Sequence, residues 1–130
     1  MKKKKICIHI VDKHRGKVYN KKKRKEFLMK PVTNETYESE VKNAPVAVLD
    51  FWAPWCGPCR MMAPVMEDIE GDYPDILFGK VNVDEEGALA TRFSVESIPT
   101  IAVLVNGEVK ETSVGYVPRA RITDMIERYI

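Results

Sequence analysis

Val46-Ala47-Val48-Leu49-Asp50-Phe51-Trp52-Ala53-Pro54-Trp55-Cys56-Gly57-Pro58-Cys59 is the stretch on which the reading of this chain turns. Its first seven residues are apolar on both faces apart from Asp50, the pattern of a buried strand of a parallel sheet. Pro58 suits a helix start, so the two thiols sit where a strand gives way to a helix. A thiol at a helix N-terminus meets the positive end of the dipole and unpaired backbone N–H groups, both of which favour thiolate over thiol. The thiolate is the form that attacks disulfides. Cys56, ahead of the helix, is expected to be the more exposed thiol and the nucleophile. Cys59, one turn in, is expected to be more buried and to act second. A CxxC pair also serves as half of a zinc site. Here no second pair exists, and both histidines, His9 and His14, lie far upstream.

Working outward, the chain alternates strand and helix signals from Met29 on. Leu28 to Val32 is a short strand candidate, and Thr33 is placed to cap a helix from Asn34 to Lys42 with Tyr37 and Val41 inward. The CxxC helix is expected from Cys56 to Glu70, with Met62, Met66 and Ile69 as its inner stripe and Pro64 kinking it. Ile76 to Asn82 is the next strand, followed by a short helix with Leu89 and Phe93 inward. Asn106-Gly107 between Thr100–Val105 and Glu108–Val114 is a type I′ hairpin signal. Pro118 opens a last helix, with Ile122, Met125, Ile126, Tyr129 and Ile130 at core spacing. The order βαβαβαββα implies an α/β sheet covered by helices.

Three further positions carry chemistry. Asp50 interrupts an apolar strand. Burial there would raise its pKa, and it could then take the proton of Cys59; the alternative is a strand-end carboxylate turned to solvent. Lys80, in the neighbouring strand candidate, is either its charge partner or a solvated lysine. Pro99, in Ile98-Pro99-Thr100, begins a strand. Read alone it is an ordinary trans proline; were it cis, it would leave a backbone edge free for an extended substrate. Trp55 is expected to be partly exposed and usable for substrate contact, and Met61, Met62 and Met66 to be core filler.

At 130 residues with 45% apolar and 31% charged residues, the chain suits one soluble domain. No run approaches the roughly 20 apolar residues of a membrane span. Three cysteines are too few for a disulfide scaffold, which points to a reducing compartment. Charge is sharply segregated. Residues 1–28 hold 12 Lys/Arg against 2 Asp/Glu, and residues 29–130 hold 9 against 17.

Asp50 to Cys59, Ala63-Pro64, Lys80-Val81-Asn82-Val83-Asp84, Ile98-Pro99-Thr100, Asn106-Gly107-Glu108 and Val114-Gly115 closely resemble the thioredoxin family, in order and spacing, over about Met29 to Ile130. The resemblance implies a thioredoxin fold, a central mixed sheet of about five strands flanked by about four helices. It implies reduction of protein disulfides with no bound cofactor, electrons returning from NADPH through a separate flavoprotein reductase, and a monomer in the cytoplasm of a bacterium. By matching position, Cys56 attacks, Cys59 resolves, and Asp50 is the buried proton acceptor assisted by Lys80. Pro99 is the family's cis-proline. Trp55, Gly57, Pro58, Ile98, Pro99 and Gly115 line the substrate-docking surface, with Tyr116 a further candidate. Gly57-Pro58 between the cysteines resembles reductants of this superfamily rather than its oxidants and isomerases, which typically carry a histidine there. A partner-binding module using the same surface without turnover is the alternative from another class. Pro54, where some relatives carry an acidic residue, and Leu104, where an aromatic is frequent, are departures that leave the assignment intact.

Residues 1–28 fall outside the resemblance, and three readings compete for them. A basic arm could bind nucleic acid or anionic lipid. A short strand around Ile6 to Val11 could join the sheet, with Cys7 as a regulatory thiol. The third is a translated leader from a mis-called start, because Arg24-Lys25-Glu26 can be encoded with AAGGAG, a bacterial ribosome-binding sequence, just ahead of Met29. Whether or not these residues are such a leader, a disordered tail is expected from the high charge and low apolar content.

Overall fold

The computed structural model describes residues 9–12, 17–20 and 29–130. Five strands form one mixed sheet: β3 (Lys30–Pro31), β4 (Val46–Trp52), β5 (Leu77–Asn82), β6 (Thr100–Val105) and β7 (Glu108–Val114), in the order β3-β5-β4-β6-β7. β4 runs parallel to β5 and antiparallel to β6. Four helices cover it: α1 (Asn34–Thr36), continued by a π-type turn over Tyr37–Val41, then α2 (Gly57–Asp72), α3 (Gly87–Arg92) and α4 (Arg119–Glu127). The order expected from the periodicities is the order found.

Alternation along β4 separates two cores. Ala47, Leu49 and Phe51 pack with Tyr37, Val41 and Leu89 beneath α1 and α3. Val48, on the opposite face, packs with Met62, Met66 and Ile69 of α2 and with Ile122, Met125 and Ile126 of α4. Asp50 and Trp52 share the Val48 face because side chains two apart on a strand point the same way. A polar pair is thereby placed on the α2 side of the sheet, where Cys59 lies.

Several boundaries differ from the sequence reading, for local reasons. Leu28 lies outside the described residues, and the first strand shrinks to Lys30–Pro31 because Pro31 has no N–H to extend a ladder. Thr33 caps as expected, its hydroxyl accepting from Thr36 N at 3.2 Å, but after Thr36 the backbone widens until Lys42 N donates to Tyr37 O, five residues back. Cys56 is the cap of α2 rather than its first residue, and the helix runs on to Asp72. Met61 is 57% exposed, not core filler, since it sits between the inward positions Cys59 and Met62. Ile130 is exposed because α4 ends at Glu127. Asn106 and Gly107 both adopt positive φ, 52° and 83°, as a type I′ turn requires.

In the extension, β1 (His9–Asp12) pairs antiparallel with β2 (Lys17–Asn20) as a separate two-stranded sheet. The strand around Val11 therefore has a partner in its own segment and does not join the main sheet. The expectation of disorder does not extend to these two stretches, whose Ile10, Val11, Val18 and Tyr19 favour extended backbone. Cys7 and Ile6 to Ile8 lie outside the described residues.

Gly79 of β5 is required by close approach. A Cβ there would lie 2.5 Å from Val32 Cγ2 and 3.3 Å from Leu49 Cδ2. Gly79→Ala is expected to lower the unfolding free energy by about 1–3 kcal/mol, the usual cost of overpacking a filled core. Urea denaturation at neutral pH checks it, and an unchanged midpoint would contradict the packing described.

Candidate active site

The site is assembled where the C-terminal end of β4 meets the N-terminus of α2. Cys56 and Cys59 form a disulfide, with Cα atoms 5.2 Å apart. Cys56 caps the helix in extended conformation, and its Sγ accepts from Cys59 N at 3.2 Å. Gly57 and Pro58 occupy the first two helical positions, where a missing N–H costs nothing. That N–H and the dipole behind it would stabilise negative charge on Cys56 in the dithiol form. Cys56 is 5% exposed and Cys59 2%, so the expected order of exposure holds but Cys56 is far from open. Trp52, Ala53, Val83 and Ile98 pack around the pair and shield it.

Asp50 is buried at 4% exposure, and loss of hydration raises its pKa to about 7, only partly opposed by the positive charge of Lys80. Lys80 is its register partner on β5, and the ammonium lies 5.0 Å from the centroid of the Trp52 ring. A cavity of about 290 Å³ brings Asp50, Cys59 and Lys80 together on one lining. The carboxyl thus lines the same cavity as the second thiol.

On the outer side, Trp55 is 67% exposed, its indole N–H donating to Asp84 Oδ2 at 2.9 Å. The Ile98–Pro99 peptide bond is cis, and Gly115 N donates to Pro99 O at 2.8 Å. Ile98 O lies 3.9 Å from Cys56 Sγ. Gly115 has φ 89°, and both it and Gly57 leave open space where a Cβ would stand. Val114 and Tyr116, on either side of Gly115, are exposed as Trp55 is, so accessible apolar area flanks the glycine and the dithiol loop.

Two supporting residues were given no role by the sequence reading. Arg60 donates from Nη1 to Pro54 O at 2.8 Å and ties the loop before Cys56 to the helix after it. Asp84 fixes Trp55 and is itself placed by an Asx turn, its N–H donating to Asn82 Oδ1 at 2.9 Å. Neither contact follows from periodicity, since each ends on a loop atom. Among the described residues no group of three His, Cys, Asp or Glu side chains converges as a metal site needs, and no helix is long and apolar enough to cross a membrane.

Residues 28–128 match the family model for thioredoxin. The chain is 46% identical over 101 residues to the chloroplastic M-type thioredoxin of Chlamydomonas reinhardtii, covering 76% of this chain and 72% of the relative. It is 41% identical over 99 residues to thioredoxin of Bacillus subtilis, covering 75% and 94%. Among solved structures it is similar to thioredoxin of Plasmodium falciparum, with a TM-score of 0.73 and 32% identity over 78% of this chain and all of that one. The five-stranded sheet, the dithiol at a helix N-terminus and these likenesses agree: the chain belongs to the thioredoxin family and is a thiol–disulfide oxidoreductase that reduces protein disulfides through Cys56 and Cys59.

Proposed function

We propose that Cys56 is the attacking thiol, Cys59 the resolving thiol and Asp50 the proton acceptor for Cys59, with Lys80 moderating the charge on Asp50. The observation that carries this is the cap geometry: Cys56 Sγ receives the Cys59 N–H, while Cys59 faces the cavity of Asp50. Cys56 thiolate attacks a client disulfide, forms a mixed disulfide and releases the first client sulfur as thiolate. Cys59 gives its proton to the Asp50 carboxylate, attacks Cys56 Sγ, and releases the second client sulfur; the internal disulfide remains. The client's two sulfurs are reduced and the protein's two are oxidised. Trp55, Gly57, Pro58, Ile98, Pro99 and Gly115 form the docking surface, where an extended client segment meets exposed apolar area and backbone groups.

Electrons return from NADPH through a separate flavoprotein reductase, which with disulfide-containing clients makes up the partner set. A monomer in the bacterial cytoplasm fits the low cysteine count and the likeness to Bacillus subtilis thioredoxin, while the chloroplastic relatives name a second possible setting. Nucleic-acid binding would rest on residues 1–28 alone.

The deciding measurement is the reduction potential of Cys56–Cys59 against a thiol buffer, in a Cys7→Ser background. A value below the cytosolic glutathione poise, roughly −220 to −320 mV depending on method, is expected for a reductant with Gly-Pro between its cysteines. A value well above it would make the pair a disulfide donor and replace this reading by an oxidant or isomerase.

A further inference from the structure

Asp50 and Trp52 each bury one polar atom without a partner among the described residues. Asp50 Oδ1 and Trp52 Nε1 are fully enclosed and make no hydrogen bond to any described residue. Native proteins rarely leave such atoms unpaired, because each costs the full loss of its hydration. Both residues line the same cavity of about 290 Å³, with Cys59, Arg60, Glu67 and Lys80. The two orphans are complementary. The indole N–H only donates, and an ionised carboxylate only accepts. A space of this size, with Asp50, Lys80, Arg60 and Glu67 in its lining, has the room and the polar partners that ordered water needs.

We propose that Trp52 Nε1 donates, through water held in this cavity, to the Asp50 carboxylate, and that Trp52 is thereby a positioning residue for proton handover from Cys59. This rests on the reading of Asp50 as proton acceptor. The bridge stabilises the ionised carboxylate, the form that receives the Cys59 proton. The proton then leaves Asp50 through the same water towards the rim, where solvent or the departing client thiolate takes it. The groups that share the cavity lining with Asp50 are few. α2 contributes Cys59, Arg60 and Glu67, and β5 contributes Lys80, whose charge acts on Asp50. Met29 and, from β3, Pro31 close a wall, and β6 places Ile101 in register, none of which titrates. Lys80 is also the cation over the Trp52 ring, so one side chain contacts both members of the bridge electrostatically.

The test is a pH titration of the full oxidised chain, following the indole ¹⁵N–¹H resonances together with the Asp50 carboxyl carbon. The Trp52 indole resonance is expected to shift with the midpoint of Asp50 and to stop doing so in Asp50→Asn. Trp55, bonded to Asp84, serves as the internal control that does not follow that midpoint. Trp52→Phe keeps a ring beneath Lys80 and removes the donor; the Asp50 midpoint is expected to rise by about 0.5–1 pH unit, and the pH profile of client reduction to move with it. A Trp52 indole resonance that stays flat, or an Asp50 midpoint in Trp52→Phe that stays or falls, overturns the bridge. Should Trp52→Phe not fold, the wild-type indole titration decides by itself. An Asp50→Asn variant with an unchanged pH profile would instead sink the proton-acceptor reading, while the indole titration would still decide the link between the two residues.

Discussion

A Cys59→Ser variant is expected to capture client proteins and fail to release them. With Cys56 intact, attack on a client disulfide proceeds and forms the mixed disulfide. Release requires a sulfur nucleophile within reach, and Cys59, with its Cα 5.2 Å from that of Cys56, is the group so placed. A serine hydroxyl, with a far higher pKa than a thiol, does not displace sulfur at neutral pH. Turnover should fall on the order of a thousand-fold or more, as it does when a nucleophile acting in a unit is removed. Mass analysis without reductant should show a 1:1 adduct of the variant and its client. Cys56→Ser should lose turnover as severely yet yield no adduct, because Cys59 is enclosed by α2 and the sheet. Equal adduct yields from the two variants would mean that the roles of the thiols are not distinct. The double variant, Cys56→Ser with Cys59→Ser, addresses the non-redox alternative. A reductase loses its effect on clients in that background, whereas a module that only holds a partner keeps it.

How far this site was legible in the sequence depends on which physical signal each residue carried. The strand–thiol–helix junction was legible because hydrophobic continuity, Pro58 and the CxxC spacing all act locally. Asp50 was legible as a conflict, a charge in a strand apolar on both faces, and the structure resolves that conflict by burying it. Asn106-Gly107 was legible because two consecutive positive φ values leave little choice of residue. Met61 was misread because hydrophobicity alone does not tell which face of a helix a methionine takes. The π-type turn after Thr36 was invisible, since its cause is the seating of Tyr37 and Val41 in the core rather than any residue's own preference. Arg60 was missed because its bond runs from a helix side chain to a loop carbonyl, and Asp84 because its contact with Trp55 joins two loops through tertiary geometry. The orphaned indole of Trp52 was beyond sequence reasoning altogether: an aromatic at a strand end is ordinary, and only the folded packing shows that its N–H has no partner among the described residues.

Asp50→Asn is expected to make the protein more stable above neutral pH while impairing its chemistry. Burial raises the pKa of Asp50 from 3.8 to about 7, with the positive charge of Lys80 opposing that rise only in part. The unfolded chain releases this proton near the lower value, and the folded chain holds it up to the higher one. Between the two, the unfolded state binds fewer protons, so wild-type stability falls as pH rises, and above about pH 7 the full loss has accumulated. At 1.36 kcal/mol per unit the loss is about 4 kcal/mol. Asparagine keeps the shape, carries no charge at any of these pH values, and can use the same cavity for its amide. Urea unfolding should therefore show near-equal stabilities at pH 4, a gap opening through pH 5 and 6, and a plateau gain of about 2–4 kcal/mol at pH 8. A gain independent of pH would show that Asp50 has the same pKa in the folded and unfolded chain, so that its burial carries no cost. The same substitution removes the proposed acceptor for the Cys59 proton, so client reduction should slow by about 10²-fold or more at neutral pH, the low end of what one positioned acid or base contributes. A stabilised, slowed protein is the signature of a charge retained in the core for its chemistry rather than for the fold.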